Sequence, residues 1–405
     1  MPSDRPVIDA LVVGGGPAGL SAARAVAAAG HRVVVLERGA AFGEPVRTSG
    51  GSFVRPLRRM GVPSHLWQPV TRLRVVGPGT DRTFRYRRAR MCVLDVRGLY
   101  QWLATQAAAA GAELHLREHV TAAVLDGDAV VGVTRRGGGE LRARLVVDAT
   151  GTTGVIARGA GLRGTAPRTA VGVEAEVFAP SYDQREALLV VGDAVAPGGY
   201  GWAFPRGSGR VRLGVGVVRP TSDADVEELL ANLVERTPAL RESCSGAQPL
   251  ERHSGVMPAF DHGAVPAVAD GLVVVGDAAG HGSTLLGEGI RHAMVSGRLA
   301  GEAAASALHR TGSPAAQELA SYPQRWERAV GRQMRIGYVL HEKVCSYGDP
   351  EWSRALAAVA RMSPGVVMSA LAGDLTPRFA ARLALRHPLL VIGEGRRFAR
   401  AALGR

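Results

Sequence analysis

Three glycines and an acid near the N-terminus are spaced for one kind of chemistry. Gly14, Gly16 and Gly19 follow an apolar run from Ala10 to Val13 and open a helical stretch from about Pro17 to Ala29; a second apolar run, Val33 to Leu36, ends at Glu37. Strand, glycine turn, helix and acid-terminated strand together form a dinucleotide-binding arrangement. Gly14 permits the tight turn, Gly16 lets backbone approach a pyrophosphate, and Gly19 lets helix and strand pack closely. The helix start, around Ala18, offers free N–H groups and a partial positive charge to the phosphates. Glu37 lies about 20 residues on, where its carboxylate can accept from ribose hydroxyls.

Two later stretches repeat the pattern of a buried strand that breaks at a glycine turn. They are Leu145-Val146-Val147-Asp148-Ala149-Thr150-Gly151 and Gly271-Leu272-Val273-Val274-Val275-Gly276-Asp277-Ala278-Ala279-Gly280. A short acid such as Asp277 suits hydroxyl donors on a ligand, and equally suits the cap of a helix.

With these stretches in order, the chain resembles the aromatic-hydroxylase-like flavoprotein superfamily, and within it the geranylgeranyl reductase family of FAD-dependent oxidoreductases. Four features carry the likeness. Pro45-Val46-Arg47-Thr48-Ser49-Gly50-Gly51 matches the loop beside the isoalloxazine. Gly199-Tyr200-Gly201-Trp202-Ala203-Phe204-Pro205-Arg206 fits the family's Tyr-x-Trp-x-Phe-Pro pattern. Gly287-Glu288-Gly289-Ile290, then Ala293-Met294 and Ser296-Gly297, matches the helix after the third cofactor stretch. Tyr322 and Trp326 fit the start of a helical C-terminal region.

The resemblance implies an α/β fold: a discontinuous Rossmann-like FAD-binding domain (1–70, 92–165 and 268–312), an inserted β-rich substrate domain (71–91 and 166–267) and a helical C-terminal region (313–405). It assigns FAD to Gly14, Gly16, Ala18, Gly19, Glu37, Arg38, Arg47, Arg97, Asp277, Gly287, Gly289 and Ile290. Arg47 and Arg97 read equally well as solvated surface arginines. The implied reaction saturates double bonds of an isoprenoid chain, on a polyprenyl lipid, diphosphate or quinone. Flavin monooxygenases (hydroxylases or epoxidases) and redox-neutral flavin-dependent cyclases share the scaffold and stand as alternatives. There is no second Gly-x-Gly-x-x-Gly, so electrons come from outside, from NAD(P)H or a ferredoxin-type electron-donor protein.

Tyr200, Trp202 and Phe204 alternate along a strand and share one face, with Pro205 at its end. Aromatics make up only 5% of the chain, so three together suggest the wall of an apolar substrate pocket. Many reductases of the family carry a cysteine in the flavin-side loop, thought to help deliver the proton; here Thr48 and Ser49 stand there. A hydroxyl is a far poorer acid than a thiol, which leaves these hydroxyls, a bound water or another residue to protonate. His281, beside the third cofactor turn, is a further acid–base candidate because histidine titrates near neutrality. His292, in mid-helix, reads as structural.

The bulk properties bound the rest. The chain has 405 residues, a formal net charge of +13 and 46% hydrophobic residues. Nearly all its basic residues are arginine, with Lys343 the only lysine. That usage, with abundant Ala and Gly, reads as codon bias, so the charge does not argue for a nucleic-acid partner. In Arg82-Thr83-Phe84-Arg85-Tyr86-Arg87-Arg88, alternation separates aromatics from arginines, as in an edge strand with a solvated face. Cys92, Cys244 and Cys345 are odd in number and far apart, which fits a reducing cytosol and argues against disulfides or a metal site. No run of 18 apolar residues occurs, and the start lacks the form of a signal peptide. A cytoplasmic location is expected. The tail, 377–405, interleaves arginines with Leu, Val and Phe; it suits peripheral docking on the inner face of an anionic membrane, or packing as a surface helix.

Overall fold

A computed structural model describes residues 7–164, 168–260, 262–282, 285–310, 312 and 314–373. The arginine-rich tail, 377–405, lies outside the described residues.

Four apolar, mostly β-branched segments form the inner part of a parallel sheet, because strands covered on both faces need continuous apolar sequence, and the largely exposed Glu113–Leu116 adds its edge. Its order runs Leu272–Val274, Glu140–Asp148, Ile8–Val13, Val33–Glu37 and Glu113–Leu116. Val268–Ala269 adds an antiparallel edge, and the hairpin Val120–Asp126 and Ala129–Arg135 extends from Glu140–Asp148. The helices Pro17–Ala27, Val96–Ala109 and Ile290–Arg310 share one hydrophobic core with this sheet. This is the Rossmann-like fold that the glycine turn implies.

A second sheet of seven strands has the order Gln248–Pro258, Thr169–Phe178, Arg210–Arg219, Gly199–Gly207, Glu186–Val190, Arg72–Gly77 and Thr80–Arg85. All its pairings are antiparallel except the one between Glu186–Val190 and Arg72–Gly77. Thr80–Arg85 is an edge strand: Phe84 is buried while Arg82, Arg85, Arg87 and Arg88 are exposed. A small third sheet, Gly51–Phe53, Met91–Leu94 and Trp67–Val70, was not foreseen from periodicity because two of its strands have only four residues and one has three. After the long helix Ile290–Arg310 the chain stays mainly helical, with Ser321–Trp326, Arg332–Val344, Asp349–Ala360 and Pro364–Leu371.

The phosphate-side helix Pro17–Ala27 packs on Ile290–Arg310 at backbone distance. A Cβ built on Gly297 would lie 1.9 Å from the Ala18 carbonyl oxygen, and one on Gly301 would lie 2.6 Å from that of Ala22. Both distances are far inside van der Waals contact, so only glycine lets the two helices approach this closely. Gly297→Ala must push them apart, and overpacking of this kind costs about 1–3 kcal/mol. We expect a lower denaturation midpoint, since Ala18 sits in the first turn of Pro17–Ala27 and is buried there. An unchanged midpoint would refute the close-packing account.

Candidate active site

The cofactor cradle is built from backbone. Gly14 has φ +108°, and a Cβ there would lie 2.2 Å from the Ala149 carbonyl oxygen, so the first and second glycine stretches touch directly. A Cβ on Gly19 would lie 2.0 Å from the Gly14 oxygen. Gly16 differs: nothing lies within 4 Å of its Cβ position. Protein packing does not demand a glycine there, whereas a phosphate lying against the turn would. Glu37 ends its strand with Oε2 accepting from the Gly15 N–H at 2.7 Å and Oε1 accepting from Gly39 at 2.7 Å. The acid thus shapes the turn, and its remaining lone pairs can accept from a ribose. Asp148, fully buried, accepts from the backbone N–H groups of Thr150 and Ala157 and from the Thr150 hydroxyl.

Asp277 is the uncompensated group. Its carboxylate accepts no hydrogen bond among the described residues, and its Oδ1 lies 3.6 Å from the Cβ positions of both Gly282 and Gly289. Burial raises its pKa to about 6, against a small opposing pull from Arg163. A half-buried carboxylate without donors fits a ligand that brings hydroxyls, and the ribityl chain of FAD does so. Gly16, Glu37 and Asp277 therefore fit the cofactor.

A cavity adjoins this cradle through Gly287, Gly289 and Ile290. Thr48, Ser49 and Ser52 supply hydroxyls to its lining. Tyr200, Phe204, Phe53, Met91, Leu189 and Leu371 supply apolar and aromatic surface. Tyr200 donates its hydroxyl to the Leu286 carbonyl at 2.6 Å, and burial pushes its pKa upward, so the phenol stays neutral. Trp202 lies between Tyr200 and Phe204, with ring centroids 5.6 Å and 6.2 Å away. Its Nε1 donates to Glu174 at 3.1 Å, and Trp202 does not line the cavity. Pro205 is buried but does not line the cavity.

Sequence reasoning passed over a charged group in the cavity wall. Glu288 is buried, accepts from the Ser52 hydroxyl at 2.7 Å, and is paired with Arg291 at 2.7 Å. Burial pushes the Glu288 carboxyl up, but Arg291, His292 and Ser52 outweigh it and hold the carboxyl below the usual range. A signal was available, since Glu288 stands inside the Gly287–Gly289 motif; only the fold shows that Ser52 meets it.

His281 is not among the residues lining the cavity. Its ring stacks on Trp326 at 3.9 Å, with Nδ1 3.0 Å from the Ser296 hydroxyl and 3.3 Å from that of Tyr322. Tyr322 also donates to the Val274 carbonyl, so this cluster fastens the Asp277 turn to the C-terminal helices. His292 is fully buried, hydrogen-bonded through Nδ1 to the Glu288 carbonyl, and pushed by burial down to about 4. Arg97 is exposed and ion-paired with Glu44 at 2.7 Å; Arg38 and Arg47 are exposed.

With this geometry in place, comparisons with known proteins become informative. The family model described as "FAD dependent oxidoreductase" matches residues 53–307, and that of an NAD(P)-binding Rossmann-like domain matches 12–70. Digeranylgeranylglycerophospholipid reductase 2 of Methanopyrus kandleri is 33% identical over 393 residues, covering 95% of this chain and 97% of its own length. Digeranylgeranylglycerophospholipid reductase 1 of the same organism is 35% identical over 79% of this chain and 86% of its own. The chain belongs to the geranylgeranyl reductase family of FAD-dependent oxidoreductases. Its fold is also that of a geranylgeranyl bacteriochlorophyll reductase-like protein of Thermoplasma acidophilum, with TM-score 0.82, 23% identity and coverage of 96% and 98% of the two chains. The protein is thus an FAD-dependent oxidoreductase. Among its described residues no helix is long and apolar enough to cross a membrane.

The raised pKa of Asp277 has a definite sign in FAD binding. Ligand hydroxyls donate to the ionised carboxylate, so binding must release the proton that Asp277 holds below about pH 6. We expect FAD affinity for the FAD-free protein to rise about fivefold between pH 5 and pH 6 and to level above about pH 7. Titration calorimetry at both values checks this. Asp277→Asn should bind more weakly and lose the slope; a slope kept in that variant refutes the assignment.

Proposed function

We propose that the protein saturates carbon–carbon double bonds of an isoprenoid chain, carried on a polyprenyl lipid, a diphosphate or a quinone. The observation that carries this reading is the cavity itself, lined by aromatic and aliphatic side chains and by Gly289, which also lies against Asp277. The substrate class is further supported by the names of the Methanopyrus relatives, both reductases of a geranylgeranylated phospholipid.

Reduced FAD, when bound, would supply a hydride and be left oxidised. Phe204, Phe53, Leu189 and Leu371 give a hydrocarbon chain apolar contact and keep water from the reacting carbons. The second hydrogen arrives as a proton, and the hydroxyls of Thr48, Ser49 and Ser52 are the groups that hold it or orient a water. Ser52 spends its own hydrogen on Glu288, so its oxygen faces the cavity as an acceptor and suits orientation of a water rather than donation. Thr48 and Ser49 remain the donors of choice. Electrons enter from an external donor, NAD(P)H or a ferredoxin-type protein, and the lipid is taken from the cytoplasmic face of a membrane.

The deciding experiment gives purified, dithionite-reduced protein a geranylgeranyl lipid or a menaquinone extract without oxygen and reads the product by mass spectrometry. Gain of hydrogen atoms in pairs is expected. An oxygen atom gained only when air is admitted would replace this reading with a monooxygenase. In the same assay, Thr48→Val with Ser49→Ala should lower kcat by about a hundredfold with little change in KM, the usual scale for loss of positioned proton transfer. An unaltered kcat would move proton supply to another group.

A further inference from the structure

The second sheet carries a buried ionic cluster on the face that also holds the aromatic wall. Residues directly opposite on neighbouring antiparallel strands share a face, and the registers give three rows across four strands. One row is Tyr200, Gly216, Gly172 and Gly255; the next is Trp202, Gly214, Glu174 and His253; the third is Phe204, Arg212, Glu176 and Glu251. Glu174, Glu176, Arg212 and His253 are all buried. Burying ions costs more than their attraction returns unless the geometry is tight, so a cluster of this kind calls for a reason.

Its partners supply one. Arg212 donates through Nε to Glu176 at 3.0 Å and through Nη1 to the carbonyl oxygen of Ser49 at 2.8 Å. Glu174 receives the Trp202 indole N–H on one oxygen and the His253 ring at 2.8 Å on the other. The second His253 nitrogen lies 2.9 Å from Glu251, and carboxylates only accept, so both ring nitrogens carry protons. Hydrogen bonding to Glu174, against the cost of burial, raises the His253 pKa accordingly. The same loop touches the sheet at a second point: a Cβ on Gly255 would lie 2.3 Å from the Arg47 carbonyl oxygen. The segment 45–51 is therefore seated on the sheet by two of its own carbonyls, one against a glycine and one on a guanidinium.

We propose that Arg212 is the positioning residue that sets the spacing between the flavin-side loop and the aromatic substrate wall, with Glu174 and Glu176 as its counter-charges and His253 holding Glu174 from the other side. One cluster bonds Ser49 on one side and Trp202 on the other. Its two halves meet in the Arg212–Glu174 ion pair at 3.8 Å, so the gap is held by charge and charge-assisted bonds instead of deformable apolar packing alone. The proposal rests on the reading that residues 45–51 lie beside the flavin. Arg212 acts through that loop and not on substrate.

The test uses Arg212→Lys, which keeps the charge that Glu174 and Glu176 need but cannot reach Glu176 and the Ser49 carbonyl together. Hydrogen–deuterium exchange on the FAD-free protein should show amides of 45–51 exchanging about tenfold faster, the loss of one charge-assisted bond, with strands 169–178 and 210–219 unchanged. The absorption spectrum of bound FAD should shift, and kcat on the isoprenoid substrate should fall more than KM rises. Gly255→Ala, which crowds the Arg47 carbonyl without touching an ion, should reproduce the loop exchange and the spectral shift, and it decides alone if Arg212→Lys does not fold. Wild-type loop exchange and flavin spectrum in the folded variants would overturn the proposal, as would uniform loosening of the whole sheet. Neither readout needs a substrate, so a failed isoprenoid assay leaves this test standing.

Discussion

Three stretches separated by more than a hundred residues each must bring their backbones to one ligand, and side chains are the obstacle. The crossing of Gly14 with Ala149, of Gly19 with Gly14, and of Gly297 with Ala18 each occurs at a distance no Cβ tolerates. Once these contacts form, the helix start at Pro17, the end of the second strand at Glu37 and the turn at Asp277 have little freedom left. The cofactor cradle follows from this close packing more than from any single polar contact. The hydrogen bonds then refine it: Glu37 closes the first turn through Gly15 and Gly39, and Tyr322 ties Val274 to the C-terminal helices.

The second sheet solves the opposite problem. One of its faces packs an ordinary apolar core of Val, Leu and Ala. The other mixes three aromatics, four glycines and a set of ions in register. The glycines make room for rings and loop alike: a Cβ on Gly214 would lie 2.3 Å from the Trp202 indole. Aromatic wall and ionic cluster are thus parts of one surface, since Trp202 belongs to both.

The cofactor half of this arrangement was legible because its demands are local. A glycine turn between a buried strand and a helix, followed by an acid, leaves a pattern within about 30 residues, and the family motifs place Asp277 and Gly287–Gly289 in the same way. The aromatic wall was legible through its period of two. Partners across strands were not. Nothing local says that Ser52 meets Glu288, or that Arg212 reaches the Ser49 carbonyl 163 residues away. Alternation in Glu174-Ala175-Glu176 shows only that the glutamates share a face, and a charged face ordinarily meets solvent. His281 illustrates the converse: its neighbourhood in sequence suggested chemistry, while Trp326 and Tyr322, over 40 residues on, enclose its ring in packing.

The cavity's chemistry finally turns on which polar groups are free to act. Tyr200 and Ser52 both point their hydrogens at fixed acceptors, the Leu286 carbonyl and Glu288. Glu288 is itself held ionised by Arg291, which makes it a poor acid and a good anchor. Cys92 sits directly across the strand pair from Ser52, but it is fully buried, absent from the cavity lining, and pushed upward in pKa by burial. A thiol so placed cannot deliver a proton to the cavity. The hydroxyls of Thr48 and Ser49 are left in the cavity lining, on the segment that Arg212 and Gly255 seat. Weak acids gain most from exact placement, because proton transfer from them depends on short, aligned contact with the acceptor. A loop held by two of its own carbonyls is the form of support that such chemistry would need.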